Sequence, residues 1–80
     1  MKYRIIYKIV NTEKELRHEE KDARKMFDLV TSEFSPESNT YCLYIDRQFD
    51  TEDECRHRIY EIKQKHRNIN IFLQCKERWQ

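Results

Sequence analysis

Residues 40–54 read TYCLYIDRQFDTEDE, and the number of strands in this stretch decides the fold. Residues 40–45 alternate, with Tyr41, Leu43 and Ile45 on one side and Cys42 and Tyr44 on the other. That period, in a run rich in aromatic residues, is a strand. Asp46 and Arg47 offer a turn into a stub strand at Gln48 and Phe49. Thr51-Glu52-Asp53-Glu54 then forms a capping box, in which Thr51 and Glu54 satisfy each other's exposed amides and open a helix. Cys55, Ile59, Ile62 and His66 mark its inward stripe, and the helix is predicted to run to about residue 67.

The same two signals stand upstream. Residues 2–10 alternate as Tyr3, Ile5, Tyr7 and Ile9 against Lys2, Arg4, Ile6, Lys8 and Val10, which predicts a first strand. Thr12-Glu13-Lys14-Glu15 is a second capping box. The helix it opens is predicted to reach about residue 34, with Leu16, Ala23, Phe27, Val30 and Phe34 on one stripe. Residues 17–22 leave a gap in that stripe, with Glu20 at the inward position, so its first turns should overhang the core or fray. Pro36, in the loop 35–39, forbids the helix from continuing.

Downstream, Asn68 ends the second helix and residues 69–75 predict a last strand. Ile69, Ile71, Leu73 and Cys75 fall on one side of it, and Asn70, Phe72 and Gln74 on the other. The tail 76–80 is polar apart from Trp79. With no glycine in the chain, left-handed backbone must fall to Asn or Asp.

The order is β-α-β-(β)-α-β. Each strand has one strongly aliphatic face, so both helices should pack on the same side of the sheet. Residues 1–80 thus form a single small α+β domain, a two-layer sandwich whose three- to four-stranded sheet carries two helices on one face. With residues 47–49 as its short third strand this is the ferredoxin-like split β-α-β; without them it is a three-stranded variant.

Composition narrows the function. Eighty residues (10.1 kDa) give a folded surface of roughly 5,300 Å² against about 14,600 Å² unfolded, which leaves no room for a deep enclosed cleft. Charged residues (39%) equal the hydrophobic ones (38%) and the mean hydropathy is −1.09. Sixteen Lys/Arg against fifteen Asp/Glu give a net charge of +1, so bulk charge points to no polyanion or membrane partner. No apolar run approaches bilayer length, and no secretory signal is read at the N-terminus. Three scattered cysteines (Cys42, Cys55 and Cys75) suit thiols in a reducing cytosol, so a cytoplasmic location is expected. The missing glycines exclude a phosphate loop and a dinucleotide fingerprint, so no nucleotide cofactor is expected.

Chemistry by side-chain constellation is equally thin. Cys55 and His57 are turned about 200° apart on a helix, and Cys55 and His66 lie about 16 Å apart along it, so no metal site is expected. No base is placed to activate Cys42 or Cys75, and no catalytic role is assigned.

The open sheet face is the stronger candidate. Arg4, Ile6, Lys8, Cys42, Tyr44, Asn70, Phe72, Gln74 and Lys76 lie opposite the helices. Aromatics on a bare sheet beside basic residues are how RRM-type domains stack bases. The glycine-containing RNP1 pattern is absent, however, and the same side chains serve as cross-strand neighbours or as a protein-docking patch.

The second helix adds Arg56, Tyr60, Lys63 and Arg67 on one stripe. These could face phosphates. They also fit a helix whose acids crowd its N-terminus and whose bases crowd its C-terminus, with Glu54/Arg58 and Glu61/Lys65 as ion pairs.

The sequence therefore predicts a binding protein and not an enzyme. Its expected partner is a protein, or a second copy, on the open face through Ile6, Tyr44 and Phe72, with Arg4, Lys8 and Gln74 around them and Trp79 as a further anchor. The alternative is single-stranded nucleic acid on the same face plus Arg56, Lys63 and Arg67. In length, composition and lack of catalytic motifs, though through no shared motif, the chain resembles small accessory proteins of phages and mobile elements. That likeness implies inhibition or modulation of a host protein.

Overall fold

Two threonines set where the helices begin. A computed structural model describes residues 2–68 and 71–78. In it the Thr12 Oγ1 accepts from the Glu15 amide at 3.1 Å, and the Thr51 Oγ1 from the Glu54 amide at 3.2 Å. The helices α1 (Glu13–Arg24) and α2 (Glu52–Lys65) follow at once. Around them run the strands β1 (Lys2–Val10), β2 (Val30–Ser35), β3 (Thr40–Phe49) and β4 (Gln74–Arg78), in the order β-α-β-β-α-β.

The four strands form one antiparallel sheet in the order β2-β3-β1-β4. β1 and β2 are parallel with β3 between them, and β3 and β4 are parallel with β1 between them. Each helix is thus a crossover that skips one strand, which is the ferredoxin-like two-layer sandwich. Both helices sit on one face. Leu16 and Ala23 from α1 and Cys55, Ile59 and Ile62 from α2 share a core with Ile5, Leu43, Ile45 and Phe49. Leu43 and Ile45 are fully buried, each contributing about 1.5–3 kcal/mol.

The strands differ from expectation in three places. First, α1 stops at Arg24 and not near residue 34. Amides of Met26 and Phe27 both bond the Ala23 carbonyl, and the chain then extends as β2. Val30, Ser32 and Phe34 alternate with Thr31 and Glu33, so this segment fits period two as well as the helical stripe, and the six-pair ladder to β3 decides it. Second, the expected turn and stub at 46–49 are part of β3. Asp46 takes a left-handed φ of 65° there, and its register opposite Tyr3 and Ile5 slips. This is a bulge and not a reversal. Third, β4 is laddered over 74–78, beyond the expected 69–75. Leu73 nevertheless faces the core, with Ile71 and Cys75 packed against it, as the alternation requires. Asn39, with φ of 55°, is the other left-handed residue, so Asn and Asp do fill the positions glycine would take.

A second bulge re-aims β1. Ile6 pairs with Tyr44 and Lys8 with Leu43, so Tyr7 is the extra residue. The pleat shifts after it. Lys8 points to the helix layer, its Nζ 3.5 Å from the Glu19 carboxylate, and Ile9 points outward. This also accounts for the polar gap in α1. Glu19 meets Lys8 there, while Leu16 stays buried, so the first turns of α1 neither overhang nor fray.

Candidate functional site

The outer sheet face, opposite the helices, carries a small core of its own. Ile6 and Cys42 are 7% exposed and Tyr44 only 2%. Arg4, itself buried, lies over the Tyr44 ring with Cζ 4.8 Å from the centroid, and its Nη2 donates to the Thr31 Oγ1 at 2.7 Å. A guanidinium held flat on an aromatic face covers it against solvent while keeping its own charge hydrogen-bonded. The expected docking patch is therefore corrected. Tyr44 and most of Ile6 are sealed, Arg4 covers the Tyr44 ring, and Lys8 turns toward Glu19 in the helix layer. Trp79 and Asn70 lie outside the described residues.

What remains open lies along the far half of β1. The ladder between β1 and β4 ends at Ile6↔Gln74, while β1 continues to Val10. Beyond that point residues 71–73 take no strand pairing. The gap is a groove of about 380 Å³ whose lining includes Ile6, Lys8, Ile9, Met26, Phe72 and Gln74. Phe72 is 74% exposed and Ile9 54%, the largest apolar side chains this side of the sheet presents. Main-chain groups of β1 over residues 7–10 form one wall, with no ladder partner on that side among the described residues.

A second groove, about 360 Å³, lies between α2 and β4. Arg56 and Lys63 line it together with Gln74, so the structure brings together three expected binding residues from distant parts of the chain. Arg56 is tied to Glu52 at 3.3 Å. Arg67 is exposed in the turn after α2, outside this groove. The expected Glu54/Arg58 and Glu61/Lys65 pairs give way to others. Arg58 donates through Nε to Asp46 at 2.5 Å and reaches Glu61 at 3.7 Å, while Glu54 faces Arg47 at 3.8 Å. Arg58 thereby ties α2 to the bulge in β3.

The thiols are arranged for packing. Cys55 is fully buried, and burial, followed by its hydrogen bond to Cys75, pushes its thiol up to about 12. A thiol held protonated is a poor nucleophile.

The sequence missed both Ile9 and the groove. Its period-two reading of β1 placed Ile9 inward, and only the bulge at Tyr7 reverses that. Where a ladder stops depends on the partner strand, so no local signal marks the groove's wall.

Compared with protein families, with curated proteins and with solved structures, the chain finds no match. The reading of the site therefore rests on its geometry.

Proposed function

We propose that the protein is a protein-binding module whose groove beside β1 takes an extended, apolar segment of a partner protein. One observation carries this reading. A strand edge over residues 7–10 that has no ladder partner among the described residues stands opposite an aromatic ring that is 74% exposed. An extended segment laid against that edge gains main-chain hydrogen bonds from β1, and its alternate side chains fill the apolar floor between Ile9, Met26 and Phe72. A helix or a folded surface would leave the edge unused. With the reading go a cytoplasmic location and a role in modulating the partner, as small phage accessory proteins do.

Nucleic acid is the less favoured occupant. Base stacking on the sheet uses successive exposed rings, and of the two expected for it Phe72 alone is exposed, since Tyr44 lies under Arg4.

The test is a random peptide display library panned against the wild-type chain and against Ile9→Ser/Phe72→Ala. Peptides with apolar residues at alternate positions should be enriched on the wild type. Their affinity should fall at least about tenfold on the variant, the loss of about 1.4 kcal/mol. Enriched peptides that bind both proteins equally would remove the groove from the function. A mixed-sequence single-stranded oligonucleotide is the second arm. Saturable binding that weakens log-linearly with salt would replace the protein reading with the nucleic-acid one.

A further inference from the structure

The sheet has two outer edges, β2 and β4, and both are dressed for contact. Of the five exposed large apolar side chains among the described residues, four flank these edges. Leu29 (49%) and Phe34 (45%) stand at β2, and Tyr60 (61%) and Phe72 (74%) stand toward β4. Tyr60 follows Arg56 and precedes Lys63 on one face of α2, the face that forms a groove with β4.

The edges carry opposite charge. Residues 28–40 contain Asp28, Glu33 and Glu37 and no Lys or Arg. Toward β4 stand Lys63, which lines the groove between α2 and β4, and Lys76 on the strand itself, whereas Lys65 lies on the other side of α2 beside Asp28. At the edges themselves Glu33 and Glu37 thus stand against Lys63 and Lys76.

We infer that the protein binds a second copy of itself head to tail, the β4 edge of one copy against the β2 edge of the next. Strand direction favours this. β2 and β1 run one way and β3 and β4 the other, so a second copy placed beyond β4 with its helices on the same side presents β2 antiparallel to β4. The edges match in length, six residues against five. Glu33 lies opposite Cys42 and Lys76 opposite Arg4, so both project to the outer face and become cross-strand neighbours at the seam. The symmetric alternatives are disfavoured by the same charges. β4 on β4 sets Lys63 and Lys76 against their own kind, and β2 on β2 does so with Glu33 and Glu37. A head-to-tail contact leaves a free edge at each end, so it closes as a ring or propagates, twisting by about 90° per four-stranded copy. Phe72 also lines the groove beside β1, but the charge pairing at the seam does not involve it.

Sedimentation velocity over a concentration series tests it, with Glu33→Lys/Glu37→Lys and Lys63→Glu/Lys76→Glu as charge-reversed variants. All four positions are exposed. The weight-average mass of the wild type should climb past twice 10.1 kDa and fall back in about 0.5 M salt. Each variant alone should stay monomeric, and an equimolar mixture of the two should assemble again, since each edge then meets its opposite. Circular dichroism checks that both are folded. If one is not, the single changes Glu37→Lys and Lys63→Glu, outside the strands, replace the pairs. A monomeric wild type, an assembly that stops at the dimer, or variants that assemble alone like the wild type would each overturn the inference.

Discussion

Arg4 and Tyr44 show one residue changing the character of a surface. Arg4→Ala removes the guanidinium from the ring and its bond to Thr31. The variant should lose about 1–2 kcal/mol in urea unfolding and bind more of an apolar dye, because the Tyr44 ring is uncovered. An unchanged midpoint with unchanged dye binding would mean that the arginine is not the cover. The cysteines give a second prediction at this scale. Cys55 is fully buried and its thiol is held near 12, whereas Cys75 is only half-buried. Iodoacetamide at about pH 8 should therefore label Cys75 first and leave Cys55 unmodified in the folded chain, as read by peptide mass spectrometry. Equal labelling of the two would contradict the packing of α2 on β4.

At the scale of elements, the bulge in β3 is held by Asp46. Its backbone is left-handed, and its carboxylate takes Arg58 from α2 and the amide of Arg47. Two substitutions separate these roles. Asp46→Gly keeps the backbone and loses the tie to α2, while Asp46→Ala loses the tie and adds left-handed strain. Asp46→Ala should be the less stable by about 1–2 kcal/mol in urea unfolding. If the two are equal, φ at this position relaxes.

Elements also show what could be read in advance. Both helix starts were legible, because a capping threonine and its partner lie three residues apart and need nothing else. Left-handed Asp and Asn were legible from the want of glycine. The span 30–35 was not, since Phe27, Val30 and Phe34 satisfy a helical stripe and only pairing with β3 tips the balance. Nor were the bulges, which turned Lys8 and Ile9 to faces opposite those their positions imply. Ile6, Lys8, Phe72 and Gln74 line an open groove, whereas Tyr44 lies under Arg4.

For the whole molecule, pH reads how the core holds its protons. Cys55 has an ordinary value of 9.0 and a folded one of about 12. Burial, then Glu19 and Asp22, raises Tyr7 as well. In both, the folded state keeps a proton over a range in which the unfolded chain has released it. Their stabilisation is complete below about pH 9 and is lost as pH rises through the folded values. Urea midpoints should therefore be flat from about pH 7 to 9 and fall above that, and Cys55→Ala should soften the fall. A midpoint that rises into alkali would reverse the sign of this argument. The molecule is also a slab, 32 × 30 × 18 Å, and its surface of 5915 Å² exceeds the roughly 5,300 Å² expected for its mass. The surplus is what two layers with an uncovered sheet face must show.

The strand order has a consequence for how the chain is made. β1 is central, yet Ile5 pairs with Ile45 on one side and with Cys75 on the other. A growing polypeptide thus exposes its innermost strand first and supplies the last neighbour some seventy residues later. Until residues 74–78 have left the ribosome, one flank of β1 stays open to any passing strand, and long loops must close before that flank is sealed. The pairing that completes the sheet is therefore also the one that closes its longest loop.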